Sequence, residues 1–263
     1  MTTRHPATSS VEIIPLPAFN DNYIWLVKRG RKAVVIDPGD ARIVQEGLDR
    51  LALALEAILV THHHADHIGG IATLIARHAV AVYGPDDPRI GSISHKLGDG
   101  DRVSLLDGAL DLSVMAVPGH TETHIAYLGD GILFPGDTLF SAGCGRLLGG
   151  TAAQLHASLA RLAQLPEQTR VYPTHEYTLA NLAFARAAEP QNGRRDAWQA
   201  RVEHERAAGL PSLPTTIGIE NEINPFLRVD TPAIVAALQA RSPGTESNSV
   251  ARFTALRAWK DVF

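Results

Sequence analysis

The segment Thr61-His62-His63-His64-Ala65-Asp66-His67-Ile68-Gly69-Gly70 constrains this chain more than any other. The residues before it, Ala57–Thr61, read as a buried strand from their Ile-Leu-Val content. After it, Ile68, Ile71, Leu74 and Ile75 recur at helical spacing. The histidine run therefore occupies a loop at a strand end, where rigid scaffolds commonly place chemistry. His62 and His64 alternate with His63, so an extended backbone turns the first two rings to one side. Asp66 and His67 follow where the chain turns and can face a neighbouring point. One short loop can thus serve two adjacent ions. The glycines after it let the backbone turn and pack closely. His63 is expected to point away as a bystander.

Three later residues complete the pattern. His120, Asp137 and His175 each stand just past a strand-like segment, in Val117-Pro118-Gly119-His120, Phe134-Pro135-Gly136-Asp137 and Val171-Tyr172-Pro173-Thr174-His175. The ends of a sheet can gather residues so placed. Imidazole and carboxylate donors suit zinc, iron or manganese. With Cys144 as the only cysteine, a thiolate-rich structural zinc site is impossible. A His and Asp site that leaves room for water is of the catalytic type. A lone loop histidine is usually solvated, and His5, His78, His95, His156 and His204 are read that way, as surface or helix positions.

Around this centre the chain changes character along its length. Val11–Pro15, Tyr23–Val27 and Lys32–Ile36 read as strands, broken by Asn20-Asp21-Asn22 and Gly30. Asp37-Pro38-Gly39-Asp40 is a turn opening a helix with Val44, Leu48, Leu51 and Leu55 on one face. Strand signals continue at Ala81–Tyr83, Leu112–Val117, Ile125–Leu128, Ile132–Phe134 and Val171–Tyr172, and Thr151–Leu165 is helical. Beyond His175, Tyr177–Ala188, Asp196–Ala208, Thr231–Ala240 and Val250–Lys260 are helix-like, with Pro211-Ser212-Leu213-Pro214 as a linker. The expected division is an α/β catalytic domain over residues 1–176 and a small helical domain over 177–263.

Composition narrows the classes further. Hydrophobic residues at 45% and charged residues at 20% fit a soluble globular protein. No apolar run reaches the ~18 residues of a membrane span. Met1–Ser10 has no apolar core and is expected to be a disordered lead-in rather than a secretory signal. A net charge of −4 gives no support for binding a nucleic-acid backbone. The single cysteine excludes an intrachain disulfide and fits a reducing cytoplasm.

Through His-x-His-x-Asp-His and the downstream His120, Asp137 and His175, the chain resembles the metallo-β-lactamase fold superfamily. More closely it resembles the glyoxalase II, or hydroxyacylglutathione hydrolase, family. That likeness rests on Asn20-Asp21-Asn22-Tyr23, Thr61 through Gly70, Pro118 through Thr121, Gly136 through Phe140, and Gly143-Cys144-Gly145-Arg146. It continues through Thr174 to Asn181, Asn224 to Arg228, and Leu256 to Asp261. It implies an α+β fold, a four-layer αββα metallo-β-lactamase sandwich followed by a small C-terminal α-helical domain that binds substrate. It implies two divalent metal ions, zinc with iron or manganese as alternatives. His62, His64 and His120 would hold one ion, Asp66, His67 and His175 the other, with Asp137 bridging. Arg146, Tyr177, Arg257 and Lys260 would contact glutathione, whose carboxylates suit Arg and Lys. The implied substrate is S-(2-hydroxyacyl)glutathione, such as S-D-lactoylglutathione, cleaved to glutathione and a 2-hydroxy acid in methylglyoxal detoxification. The implied setting is a cytoplasmic monomer with no nucleic-acid or membrane partner. Asp37 matches a position that is not a direct ligand, and is either a support behind the ligands or a turn residue.

One departure concerns the substrate. After Gly145-Arg146 the family usually shows an aromatic and then Glu before Gly-Thr, whereas this chain reads Leu147-Leu148-Gly149-Gly150-Thr151. Leu148 replaces an aromatic that, as tyrosine, contacts the substrate, so one polar contact is expected to be absent.

The chemistry so implied is simple. Two ions sharing a water would lower its pKa towards ~7 and polarise the thioester carbonyl. Asp66 and Asp137 are expected to orient the attacking oxygen. The leaving thiolate, with a conjugate acid of pKa ~8.5, needs no dedicated acid. Cys144 is a rival nucleophile, but no histidine remains as its base once the ligands are assigned, so a packing role is expected. Other functions compete on this fold: a lactone or β-lactam hydrolase, a persulfide dioxygenase, a nuclease and a non-catalytic module. The C-terminal Arg257-x-x-Lys260 disfavours the first. Dioxygenase members use one iron and typically end sooner. The acidic balance disfavours a nuclease, and the filled ligand positions disfavour a non-catalytic module.

Overall fold

The computed structural model describes residues 11–241, Gly244 and residues 248–263. The expected lead-in before Val11, and His5 within it, lie outside the described residues. Six strands form a first sheet in sequence order: β1 (Glu12–Ala18), β2 (Asn22–Arg29), β3 (Lys32–Ile36), β4 (Ala54–Leu59), β5 (Ala81–Pro85) and β6 (His95–Leu97). β1 to β3 form an antiparallel meander, and β3 to β6 run parallel. The first two parallel crossovers are helical: α1 (Ala41–Leu51), then the short α2 (Ala65–Ile68) followed by α3 (Ile71–His78). Asp40 caps α1, its Oδ1 accepting from the Arg42 and Ile43 amides at 2.8 and 3.2 Å. Such a cap contributes about 1 kcal/mol.

The second sheet starts with β7 (Arg102–Leu105), β8 (Leu110–Ala116), β9 (Ile125–Gly129) and β10 (Ile132–Phe134). A separate hairpin, β11 (Leu139–Phe140) and β12 (Gly143–Cys144), follows, then helix α4 (Ala152–Leu162). β13 (Arg170–Val171) returns parallel to β10. The rest is helical, α5 (Thr178–Ala188), α6 (Gly193–Ala207), α7 (Ile217–Ile223), α8 (Pro232–Arg241) and α9 (Ser249–Asp261), except for β14 (Thr215–Thr216). The order across the second sheet is β14-β13-β10-β9-β8-β7.

Strand alternation explains the layers. On β2, Tyr23, Trp25 and Val27 join Leu112, Val114, Tyr127 and Phe134 of the other sheet in one buried core. The alternate residues Ile24 and Leu26 pack on the other side with Val44 and Leu48 of α1 and Leu74 of α3. On the outer face of the second sheet, Met115, Ala126 and Leu133 meet Leu155 and Leu159 of α4 and Phe253 and Leu256 of α9. The result is a four-layer αββα sandwich with a helical C-terminal segment packed against it. Each fully buried Leu, Val or Phe stabilises it by about 1.5–3 kcal/mol.

Several features depart from the sequence reading. Leu55, expected on the apolar face of α1, lies in β4 beyond the end of that helix. β6 and β7 are edge strands rich in charge, His95-Lys96 and Arg102, and edges are commonly defended in that way. β6 shows no apolar alternation to read, whereas β7 does alternate, with Val103 and Leu105 buried, but over only four residues. β14 falls in the region read as helical and completes one edge of the second sheet by pairing Thr215 with Val171. The linker before it is not loose: Ser212 is buried, and its amide donates to Glu176 Oε2 at 2.8 Å.

The topology gathers the site. β8, β10 and β13 run in one direction, because β9 is antiparallel to β8 and β10 while β13 is parallel to β10. Their C-terminal ends lead to His120, Asp137 and His175, and the end of β4 leads to the histidine loop.

Candidate metal centre

Seven side chains converge in two groups. His62, His64, His120 and Asp137 bring one ligand atom each to within 4.8 Å of one another, and so do Asp66, His67 and His175. His64 Nδ1 lies 2.9 Å from His62 Nε2 and 3.0 Å from His120 Nε2. In the second group, Asp66 Oδ2 lies 3.6 Å from His67 Nε2 and 3.5 Å from His175 Nε2. Asp137 reaches both groups, with 3.5 Å to His120 Nε2, 3.4 Å to His67 Nε2 and 3.3 Å to His175 Nε2. α2 explains how one loop serves both groups: the extended residues His62 and His64 precede it, and its first turn carries Asp66 and His67 to the other side.

The hydrogen bonds behind the rings fix their tautomers. His120 Nδ1 donates to the Arg146 carbonyl at 2.7 Å, and His175 Nδ1 donates to Asp21 Oδ1 at 2.8 Å. Thr61 Oγ1 donates to Asp37 Oδ2 at 2.7 Å, so it accepts from His62 Nδ1 at 3.0 Å. Each Nε2 of these three rings therefore presents a lone pair to the centre. Buried His67 Nε2 and Asp137 Oδ1 have no hydrogen-bond partner. Converging lone pairs and unpartnered buried donor atoms are costly without a cation. Donor atoms 2.0–2.1 Å from a tetrahedral ion stand roughly 3.3 Å apart, close to the spacings found here. The residues thus fit divalent metal ions.

The electrostatics agree with that fit. Burial holds His62 well below the ordinary imidazole value, and lowers His64 to about 4, with His120 beside it adding to the effect. Burial also lowers His120. These rings are neutral and free to ligate at pH 7. For His67 and His175 burial is the largest single influence and works in the same direction, but Asp137 together with Asp37 at the first and Asp21 at the second outweighs it and raises both. Asp137 itself is held well below the carboxylate range: burial opposes ionisation, and the neighbouring His67 and His175 overcome it. Carboxylates that favour a proton on these rings also favour a divalent cation.

Several supports lie beyond what the sequence reading assigned. Asp37 is buried at φ +53, and its carboxylate accepts from the Thr61 amide at 2.7 Å and lies 3.0 Å from His67 Nδ1. It stands behind the ligands and is more than a turn residue. Asn22 donates to Asp66 Oδ2 at 2.9 Å. His124 is buried, stacks on His62 with centroids 4.5 Å apart, and accepts the Asp137 amide at 3.1 Å. No local spacing marked it, because residues 117–124 form no helix in which His120 and His124 would share a face. Gly136, at φ +51, leaves room where a Cβ would collide with Thr61 and His124. His63 turns away from both groups, its Nδ1 3.4 Å from Asp87 Oδ2.

The ligands open into a cleft of about 590 Å³ whose walls include Arg146, Leu148, Tyr177, Arg257 and Lys260. Tyr177 stacks on His175 with centroids 4.7 Å apart. Arg146 is largely exposed, and Lys260 Nζ approaches the Ala180 carbonyl at 3.3 Å. Arg257 differs: it is buried, and donates to the Cys144 carbonyl at 3.0 Å and to Asp261 Oδ1 at 3.1 Å. Leu148 is 52% exposed and offers the cleft an apolar surface. Burial pushes the Cys144 thiol up to about 11, so it carries little thiolate at neutral pH.

Comparison with known proteins places the chain first in a class and then in a family. Residues 18–175 match the metallo-beta-lactamase superfamily, and residues 176–263 match the hydroxyacylglutathione hydrolase C-terminus. Among solved structures, ETHE1 from Myxococcus xanthus aligns with a TM-score of 0.64 at 26% identity, covering 95% of this chain and 99% of that one. The BLEG-1 B3 metallo-beta-lactamase aligns with a TM-score of 0.62 at 27% identity, covering 83% and 99%. The chain has the fold of the metallo-beta-lactamase superfamily and belongs to it. A hydroxyacylglutathione hydrolase from Chromohalobacter salexigens is 52% identical, covering 95% of this chain and 99% of the relative. One from Cupriavidus taiwanensis is 51% identical, covering 96% and 99%. Within the superfamily, this chain belongs to the hydroxyacylglutathione hydrolase family.

Proposed function

We propose that this protein hydrolyses S-(2-hydroxyacyl)glutathione thioesters, S-D-lactoylglutathione among them, to glutathione and a 2-hydroxy acid in methylglyoxal detoxification. The observation that carries this reading is the convergence of seven metal-type side chains on a cleft walled by Arg146, Tyr177 and Lys260. The 52% identity to a relative named hydroxyacylglutathione hydrolase supports it. His62, His64 and His120 would hold one divalent ion, Asp66, His67 and His175 the other, and Asp137 both. Zinc suits these donors, as do iron and manganese.

When bound, such ions supply Lewis acidity to the thioester carbonyl and lower the pKa of water towards ~7. The chain's own residues do the rest. The Arg146 carbonyl and Asp21 keep the protons of His120 and His175 on Nδ1, so each Nε2 faces the centre. Asp66, steadied by Asn22, and Asp137 accept from the attacking water and orient it. Arg146 and Lys260 offer positive charge to the glutathione carboxylates. The thiolate leaves unaided, so no acid beyond these groups is required.

Residues 1–176 would form the catalytic domain and 177–263 the substrate-binding one. The proposed setting is a monomer in the cytoplasm, which suits a chain whose single cysteine permits no intrachain disulfide. No helix among the described residues is long and apolar enough to cross a membrane. The test is loss of thioester absorbance from S-lactoylglutathione with purified protein, before and after chelation. Rapid, chelator-sensitive turnover is expected. No turnover by folded, metal-replete protein would refute the reading.

A further inference from the structure

The β11–β12 hairpin links the metal centre to the helical segment. Asp137 lies just before its first strand. Arg146 lies just after its second, and the Arg146 carbonyl accepts from His120. The root of the hairpin therefore carries one ligand and the group that orients another. Its tip is held by side chains from beyond residue 176. Asn224 Nδ2 donates to the carbonyls of Phe140 and Gly143 at 3.2 and 2.9 Å, and Glu220 Oε2 accepts the Ala142 amide at 2.8 Å. Ala142 adopts φ +55, a left-handed conformation that a residue with a Cβ holds only when its surroundings enforce it.

Glu220 and Asn224 are both fully buried and act as a unit, since Asn224 Nδ2 also donates to Glu220 Oε2 at 2.9 Å. Thr215 Oγ1, on the edge strand β14, donates to Glu220 Oε1 at 2.7 Å. Neither residue lines the cleft. Apolar side chains would fill this space at lower desolvation cost. A polar pair specifies one backbone arrangement at the tip, which packing alone would not.

We infer that Glu220 and Asn224 are positioning residues for the metal centre: by holding the hairpin tip they fix Asp137 and the Arg146 carbonyl at its root. The inference rests on the metal reading of the site but requires no particular substrate. Its test is the rate at which a chromophoric chelator strips zinc from the loaded full-length chain. Glu220→Met keeps the volume and removes the acceptors. Asn224→Ala removes the donors and, being smaller, carries the test if the first variant does not fold. Glu220→Gln retains an acceptor for Ala142 and Asn224 and a donor for Thr215. Leu238→Ala, in the core of the helical segment, controls for stability alone.

Glu220→Met and Asn224→Ala are expected to lose zinc about 10-fold faster than the parent, the lower end of what outer partners of metal ligands contribute. Glu220→Gln and Leu238→Ala should stay within about twofold, well short of that effect. Zinc loss from Glu220→Met and Asn224→Ala no faster than from Leu238→Ala at a matched drop in melting temperature would overturn the inference. A parent chain that takes up no zinc would instead overturn the metal reading on which it rests.

Discussion

The buried carboxylate of Glu220 makes the stability of this fold depend on pH in a calculable direction. Burial raises it from 4.5 to about 7, while hydrogen bonds from Thr215, Asn224 and the Ala142 amide pull it down by less. The folded chain therefore holds a proton on Glu220 at pH values where the unfolded chain has released it. The stability this group contributes is greatest below pH 4.5, falls as pH rises, and levels off above about 7. The full loss is about 3 kcal/mol, from 1.36 kcal/mol per unit of displacement. Glu220→Gln lacks this ionisation and keeps the shape. Urea unfolding of the metal-free parent and the variant at pH 5 and pH 9 would measure it, since groups common to both chains cancel in the difference. The parent should lose roughly 2–3 kcal/mol relative to the variant over that interval, most of it by pH 8. A pH-independent difference would show that burial does not hold the proton, and the argument would fail.

Other perturbations probe the site itself. Asp137→Asn, which removes the carboxylate shared by both ligand groups, should lower metal affinity by more than about 100-fold, beyond the effect of outer partners; metal analysis showing two ions held as tightly as in the parent would refute the shared role. Lys260→Ala should raise KM and leave kcat nearly unchanged, as loss of uniform binding does; a pure kcat effect would remove it from the substrate side. Arg257→Ala should raise KM too, but its guanidinium also bonds the Cys144 carbonyl and Asp261, so a loss of about 3 kcal/mol in stability should accompany it. Cys144→Ala should keep most activity, and complete loss would make the thiol a nucleophile after all.

Much of this arrangement was legible because chemistry and chain direction coincide. The histidine loop contributes His62 and His64 to one candidate group and Asp66 and His67 to the other, and His120, Asp137 and His175 follow strands that run the same way. Asp37, Asn22, Asp21 and His124 were less legible. Their roles depend on contacts such as Asn22 to Asp66 and His175 to Asp21, separations of 44 and 154 residues, which no local spacing encodes. β6 was hidden for a different reason, since His95-Lys96-Leu97 shows no apolar alternation, whereas Arg102–Leu105 alternates over four residues, the shortest run that signals a strand, and was passed over. Glu220 was illegible as well. A glutamate on a short helix reads as solvated until the hairpin it meets is in place.

The division of the sequence near residue 176 separates two matched families, yet the two parts share a sheet and a core. His175 falls on one side and Tyr177 on the other, yet their rings stack. The Glu176 amide donates to the Asp21 carbonyl at 2.8 Å, and its carboxylate accepts from Ser212. β14 completes a sheet whose other strands all precede the division. Phe184, Phe253 and Leu256 share a core with Leu133 and Leu155. A segment that only bound glutathione would need contacts at the cleft mouth. This one also supplies a strand, part of a core and the clamp on the hairpin, so the geometry of the metal centre depends on residues from both sides of the division.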